Sequence, residues 1–468
     1  MGSVATPIPD RAAAAALGTA LRRLGYVEDE LDELLDEDAF KGGREEVLVA
    51  ERRLPASKLG TAVRLLFLQL PVPEAEAVDA LGRPAVAALA ATGLAELLGD
   101  VVPHARLVPI GDVLLASDGF TRDADDPPDY VASYTPTART CDLLTVRKRG
   151  KRALDVGTGS GIHALLAARH HRHVVAVDVN PRALAYTALN AALNGLDNVE
   201  CRPGSFFEPA AGETYDLITC NAPYVVSPEN RWTYRDSDFH GDDVSAHVVA
   251  AAAAHLAQGG YATMLGSWLV TGDGDSEERP VAWVEETGCD GWVLASQETD
   301  ALGHAVSWNA EFFGDTATYT AALDEWTRYL AELGARAVAE GAILLHRRGA
   351  ERATVRVDEI DEESLEPAGT QIRRAFANRA RLEGMQSRDL PAARLARAMP
   401  LNFERALGKR SGELALDGGT RSLLPATKTA AGIVERLDGK ATLSRLGADR
   451  AAVSLCRELL ELGALRFA

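Results

Sequence analysis

Three glycines at alternate positions, Gly157, Gly159 and Gly161, follow the apolar run 153–156 and precede Ile162–Ala168, which reads as a helix. Glycine lacks a Cβ, so the backbone takes positive φ and a ligand can approach it closely. The helix start adds unpaired N–H groups and a positive dipole end, which suits a cofactor carrying an anionic group. A second apolar run, 174–177, ends at Asp178, whose carboxylate can accept from both hydroxyls of a ribose. A third, 216–220, leads into Asn221-Ala222-Pro223-Tyr224 at a strand's carboxyl end, where open α/β sheets bind ligands.

The D-x-G-x-G-x-G spacing from Asp155 to Gly161 differs from the G-x-G-x-x-G of dinucleotide enzymes. With Asp178 it resembles the S-adenosylmethionine site of class I methyltransferases. Asn221 to Tyr224 resembles the (N/D)PPY motif of methyltransferases that act on planar nitrogens. The resemblance is closest to the small-domain group that includes the release-factor glutamine and rRNA guanine methyltransferases, and covers residues 104–350.

The resemblance implies S-adenosyl-L-methionine as cofactor. Gly157, Gly159 and Gly161 would hold its methionine end, Asp178 its ribose, and Ser205 with Phe206 its adenine. Asp155, Thr158, Val179 and Asn221 join the expected cofactor-binding residues. An amide or exocyclic amine nitrogen is a poor nucleophile because its lone pair is delocalised. The site must therefore accept both N–H hydrogens and let the nitrogen become pyramidal. The Asn221 side-chain oxygen and the Ala222 carbonyl would be the acceptors, followed by Pro223, with Tyr224 stacked on the flat group. Two positions depart from the family: Ala222 stands where proline is usual, which keeps the carbonyl but not the fixed φ, and Ser205 stands where relatives commonly carry an acid. The polar stretch through Tyr234-Arg235-Asp236 and His240 to Ser245, before a helix over 244–256, is either a lid over the acceptor or a solvated connection.

A chain of 468 residues exceeds one hydrophobic core. The expected division is a mainly helical domain over 1–103, the methyltransferase domain over 104–358, and an accessory domain over 359–468 that is helical or winged-helix-like. The fold class expected for the middle domain is α/β, a doubly wound Rossmann-like sheet. The apolar fraction of 47% and charged fraction of 25% are those of a globular chain. No apolar run reaches the roughly 18 residues of a membrane span. The start lacks a basic region followed by an apolar stretch, which argues for a cytoplasmic enzyme. Five cysteines without C-x-x-C spacing argue against a disulfide framework and a zinc site, and no histidine pair suggests a metal.

The net charge of −19 opposes binding to phosphate backbones. Locally, 28–38 is an acidic run, whereas Arg373, Arg374, Arg379, Arg381, Arg388, Arg394, Arg397, Arg405, Lys409 and Arg410 make the C-terminal region basic, as do Arg147 to Arg152 beside the first strand. Each run is either a solvated face or a surface for RNA or an acidic partner.

Helices are expected over 12–24, 31–40, 58–68, 79–98 and 138–146, a hairpin over 106–116, and a surface loop over 117–130 leading to Tyr134–Thr137, which could cover the cofactor. Further strands are expected over 199–202, 261–268, 292–295 and 342–346, the last able to pair with 354–357. A helix lies near 281–286, an amphipathic stretch over 317–335, and a winged-helix-like end at 433–437 with 453–462.

The expected activity is an S-adenosylmethionine-dependent N-methyltransferase acting in line on a planar nitrogen of a protein, peptide or RNA; DNA and membranes are not expected partners. A small natural-product amine as acceptor, and a cofactor-binding regulator without catalysis, stay open at this stage.

Overall fold

The structure is a computed structural model describing residues 6–35, 46–119, 127–229, 239–272, 274–349, 353–386, 388–406 and 409–468. Its centre is an eight-stranded sheet: β1 (Gly150–Val156), β2 (His171–Asp178), β3 (Val199–Pro203), β4 (Tyr215–Cys220), β5 (Leu256–Thr271), β6 (Asp290–Asp300), β7 (Ala335–His346) and β8 (Val355–Glu359). The strand order is 3-2-1-4-5-7-6-8. Only β7 runs against its neighbours, being antiparallel to β5 and β6. Val174 to Val177 of β2 are fully buried, as a parallel strand covered on both faces must be.

Seven helices accompany the sheet: α1 (Pro136–Leu144), α2 (Ile162–Ala168), α3 (Pro181–Leu193), α4 (Asp243–His255), α5 (Glu278–Thr287), α6 (Ala301–Trp308) and α7 (Thr316–Glu332). The fold is therefore a doubly wound α/β sheet. From β1 the chain winds one way to β2 and β3 and the other way to β4 and β5, so the loops after β1 and β4 diverge and leave a crevice at the strands' carboxyl ends. Helix α3 begins where Asn180 caps the Arg182 amide and Pro181 presets the first turn.

The hairpin Arg106–Ile110 and Val113–Ser117 lies along α3. The Asn190 amide accepts from Ala116 N–H at 2.8 Å and donates to its carbonyl at 2.8 Å, while Asn194 does the same for Leu114 at 2.9 and 2.7 Å. Two side-chain amides thus occupy a strand edge that would otherwise be unpaired. Arg182 donates to Asp118 at 2.9 Å, and both are buried.

The helix expected over 79–98 is broken. Gly82 takes φ 85° and Pro84 opens a new helix, giving Glu74–Leu81 and Arg83–Ala91. The chain then forms the strands Ala95–Leu97 and Asp100–Pro103, joined by Val72–Pro73 in a three-stranded sheet. Helix, strand, two helices and a hairpin make a winged-helix arrangement within the N-terminal segment. Its core is continuous with α3, since Leu17, Leu21, Leu65 and Phe67 share one apolar cluster with Leu189 and Leu193.

The strand 354–357 pairs not with 342–346 but with β6, in parallel. Asp290 explains this, because its carboxylate accepts from Arg348 at 2.7 Å and from the Thr354 amide at 3.0 Å, leading the chain across the start of β6. Beyond 360 the segment holds the helices Gly369–Glu383, Lys428–Glu435 and Arg450–Glu461, but also two three-stranded antiparallel sheets, so it is not purely helical. Phe376 and Ile372 share a cluster with Trp292 and Leu344, so this segment and the central sheet have one core. Among the described residues no helix is long and apolar enough to cross a membrane. Residues 36–40 of an expected helix, 120–126 of the expected surface loop and Tyr234-Arg235-Asp236 lie outside the described residues.

Candidate active site

A cavity of about 660 Å³ opens at the carboxyl ends of β1, β2 and β4. Gly157, Thr158, Gly159 and Ser160 line one side, Asp178 and Val179 the next, Gly204 to Phe206 another, and Asn221 to Val225 the far end. The structure thus brings the glycine loop, the strand-end acid and the N-A-P-Y motif around one space.

Two glycines shape the loop. Gly157 has φ 65°, and a Cβ there would stand 2.9 Å from Ala222 Cβ and 3.0 Å from Ala222 Cα. The two motifs therefore stand too close to admit a side chain at Gly157. Gly159 has φ 55°, and a Cβ built on it meets nothing within 4 Å. Behind the loop, and outside the cavity lining, stand Asp155 and Gly161. Asp155 is 1% exposed and accepts from Thr158 Oγ1 at 2.7 Å, Thr219 Oγ1 at 2.8 Å and the Ala164 amide at 3.1 Å. Its carboxylate fastens the loop to β4 and α2 rather than facing a ligand. Burial pushes its pKa up to about 6, against the pull of the Thr158, Thr219 and Ala164 hydrogen bonds.

Asp178 accepts from the Gly159 amide at 2.9 Å and the Asn180 amide at 2.9 Å. A carboxylate offers about four acceptor positions, so capacity is left for hydroxyls in the cavity. Burial raises its pKa. Val179 beside it is 55% exposed, an apolar face presented to the cavity. Phe206 sits at φ 44°, a strained value for a non-glycine residue, and its ring meets Phe239 at 5.6 Å and His247 at 5.5 Å, edge on.

At the far end the Asn221 amide is half-buried and has no hydrogen-bond partner among the described residues. Ala222 is 5% exposed. Tyr224 is held through its backbone, where Ser267 donates to its carbonyl. Burial raises the Tyr224 pKa, and the nearby Glu340 and Glu362 carboxylates act in the same direction. Cys220 is buried, and its thiol is pushed up to about 12 by burial, so it is no nucleophile.

Several lining residues carry no motif. Thr135 to Ala138 close one wall, from the stretch before α1. Ser133 contributes a buried hydroxyl, and His163 on α2 a buried Nε2, each without a hydrogen-bond partner among the described residues. Burial, aided by Arg147, lowers the His163 pKa to about 4, so the imidazole is neutral. Phe239 comes from a loop and Trp308 from the end of α6, both distant in sequence, and no local pattern marks them.

Residues 147–237 match a family described as a methyltransferase domain, and residues 23–105 match a domain of unknown function. The chain is 37% identical over 130 residues to a release factor glutamine methyltransferase of Xylella fastidiosa, covering 25% of this chain and 47% of that protein. It is 34% identical over 163 residues to a ribosomal protein uL3 glutamine methyltransferase of Bradyrhizobium diazoefficiens, covering 31% and 51%. The chain thus spans about half the length of these two relatives. A release factor glutamine methyltransferase of Cereibacter sphaeroides is 33% identical over 234 residues, covering 47% of this chain and 77% of that protein. Among solved structures, Trm5b from Pyrococcus abyssi is 16% identical, covering 53% of this chain and 58% of that one with a TM-score of 0.31.

Proposed function

Because this chain belongs to the release factor glutamine methyltransferase family of S-adenosylmethionine-dependent enzymes, we propose that it methylates a planar side-chain amide nitrogen of a protein. The observation that carries the proposal is the contact of Ala222 with Gly157, which sets the acceptor motif directly against the cofactor loop in one cavity.

The residues present suit S-adenosylmethionine. Open space at Gly159 leaves room for a ligand against the backbone, Asp178 keeps acceptor capacity for ribose hydroxyls, and Ser133 on the wall has a buried hydroxyl with no partner among the described residues. Val179 and Phe206 offer apolar contact to a base, with Ser205 beside them. When bound, the cofactor supplies a methyl group on a positively charged sulfur. The chain's own part is placement: the Asn221 oxygen and the Ala222 carbonyl accept the two amide hydrogens and draw the nitrogen lone pair out of conjugation. Tyr224, whose carbonyl is held by Ser267, orients the flat group, while the apolar walls exclude water.

Protein is favoured over RNA by the relatives this chain resembles, the release factor and ribosomal protein uL3 glutamine methyltransferases, and by the net charge of −19, which opposes a phosphate backbone. Of the C-terminal cations, Arg374 donates to the Gly463 carbonyl at 2.6 Å and Arg379 lies 4.2 Å over Trp292, whereas Arg373, Arg388, Arg394 and Arg397 stay exposed. The test is incubation with methyl-labelled cofactor and an extract separated into protein, RNA and small-molecule fractions. The proposal expects label on glutamine or asparagine in the protein fraction, and label confined to RNA overturns it.

A further inference from the structure

Residues 127–135 belong to no helix or strand, yet Tyr130, Val131, Ser133 and Thr135 among them line one wall of the cavity. A segment without a ladder takes its place from hydrogen bonds to its neighbours. Here those bonds converge from one turn. Asp178, which ends β2, is followed by Asn180, the cap of α3, and by Arg182 in its first turn. Asn180 Nδ2 and Arg182 Nη1 both donate to the Asp129 carbonyl, each at 2.9 Å. The Asn180 backbone amide donates to Asp178 at 2.9 Å. The turn that carries the proposed ribose acid therefore also fixes the wall.

Asp118 holds the next part of the wall. Its carboxylate accepts from the Val131 amide at 2.8 Å, from Arg182 Nη1 and Nη2 at 2.9 and 2.5 Å, and from the Tyr186 hydroxyl at 2.8 Å. Its own amide donates to the Val131 carbonyl at 3.1 Å. Four donors thus fill the four acceptor positions of the carboxylate. Asp118, Asn180 and Arg182 are all buried, so these bonds are made out of water, where losing one costs most. The Tyr130 hydroxyl donates to the Gly119 carbonyl at 2.8 Å. Two residues beyond Val131, Ser133 lines the cavity with a buried hydroxyl that has no hydrogen-bond partner among the described residues. A ligand that completes such a group removes the cost of its burial.

We propose that Ser133 is a cofactor-binding residue, its hydroxyl making a hydrogen bond to S-adenosylmethionine, and that Asn180 is the positioning residue that hangs the Ser133 wall from the turn after Asp178. The inference rests on the cofactor placement given above. Both polar atoms of the Asn180 side chain are engaged, Nδ2 by the Asp129 carbonyl and Oδ1 by the Arg182 amide at 2.9 Å, so Asn180 acts through the wall rather than on a ligand. A wall already held in its bound position spares the cofactor the entropic cost of ordering it, and the anchor contributes to affinity in that way.

The experiment measures S-adenosylhomocysteine affinity of the full chain by calorimetry, with thermal unfolding of each variant alongside. Ser133→Ala should weaken binding about fivefold, the loss of one neutral hydrogen bond. Asn180→Ser keeps an oxygen to cap α3 but lacks the Nδ2 donor, and should weaken binding about tenfold with little change in unfolding temperature. Because Asn180 acts through Ser133, the double variant should bind about tenfold more weakly than wild type, not about fiftyfold. Asn194→Ser is the control: it cuts the bonds to Leu114 at the far end of α3, outside the cavity lining, and should lower the unfolding temperature with affinity unchanged. Wild-type affinity in Ser133→Ala or Asn180→Ser, a double variant weakened by the full product, or an equal loss in Asn194→Ser overturns the inference. The cofactor placement is read separately from Asp178→Ala: if that variant also binds as wild type does, the placement fails and the inference with it.

Discussion

Gly157→Ala tests the contact on which the proposed chemistry depends. The new methyl would lie 2.9 Å from Ala222 Cβ and 3.0 Å from Ala222 Cα, whereas carbon atoms rest at about 3.5–4.0 Å. Relief requires the acceptor motif and the glycine loop to part by about 0.5–1 Å, because a backbone atom cannot rotate away as a flexible side chain can. The φ of 65° adds about 1–2 kcal/mol for a residue with a Cβ, and the crowding about 1–3 kcal/mol. Turnover should fall on the order of a hundredfold, the cost of misplacing reacting groups by about 1 Å. The assays are labelled methyl transfer, calorimetric titration with S-adenosylhomocysteine, and thermal unfolding. Adding Ala222→Gly removes the nearer contact while keeping the φ cost, so the double variant should regain part of the turnover without regaining the strain component of stability. A folded Gly157→Ala with wild-type turnover, or a double variant no faster than the single, would refute the reasoning.

Asp178→Ala should weaken S-adenosylhomocysteine on the order of a hundredfold by calorimetry, since hydrogen bonds to a charged group contribute about 1.5–3 kcal/mol each; unchanged affinity sinks the ribose assignment. Arg182→Ala leaves Asp118 charged and buried, and should destabilise the fold by about 3–5 kcal/mol in urea. His163 and Asp155 make opposed contributions to stability against pH. The folded imidazole, lowered to about 4 from its ordinary 6.5, binds fewer protons than the unfolded one, so its contribution rises as pH climbs through that window. The folded Asp155 carboxyl, raised to about 6 from 3.8, keeps a proton that the unfolded one loses, so its contribution falls as pH rises between those values. Each amounts to about 3 kcal/mol, and in the wild type they nearly cancel. His163→Asn should therefore lose stability as pH rises from about 4 to 6 in urea titrations, and a profile parallel to wild type contradicts the assignment.

The glycine loop, Asp178 and the N-A-P-Y motif were legible in the sequence because each is a local event, a turn at the end of an apolar strand. The doubly wound sheet was legible for the same reason, as strand and helix periodicities alternate through residues 150–346. Trp308, Phe239 and Ser133 were not, since tertiary folding alone brings them to the cavity and their neighbours in sequence show no pattern. Asp155 looked like part of the loop's binding face, yet its geometry commits the carboxylate to Thr158, Thr219 and Ala164, partners that spacing cannot distinguish from a ligand. The N-terminal wing escaped notice because its strands are two to four residues long, too short for alternation to register. The placement of β8 beside β6 depended on Asp290, a single buried acid acting across 64 residues.

The most direct test of the central claim compares wild type with Asn221→Ala in labelled methyl transfer to the protein fraction, with S-adenosylhomocysteine binding measured alongside. The account predicts label on side-chain amides with wild type, a loss on the order of a hundredfold in the variant, and cofactor affinity retained. Equal labelling by the two proteins would contradict it.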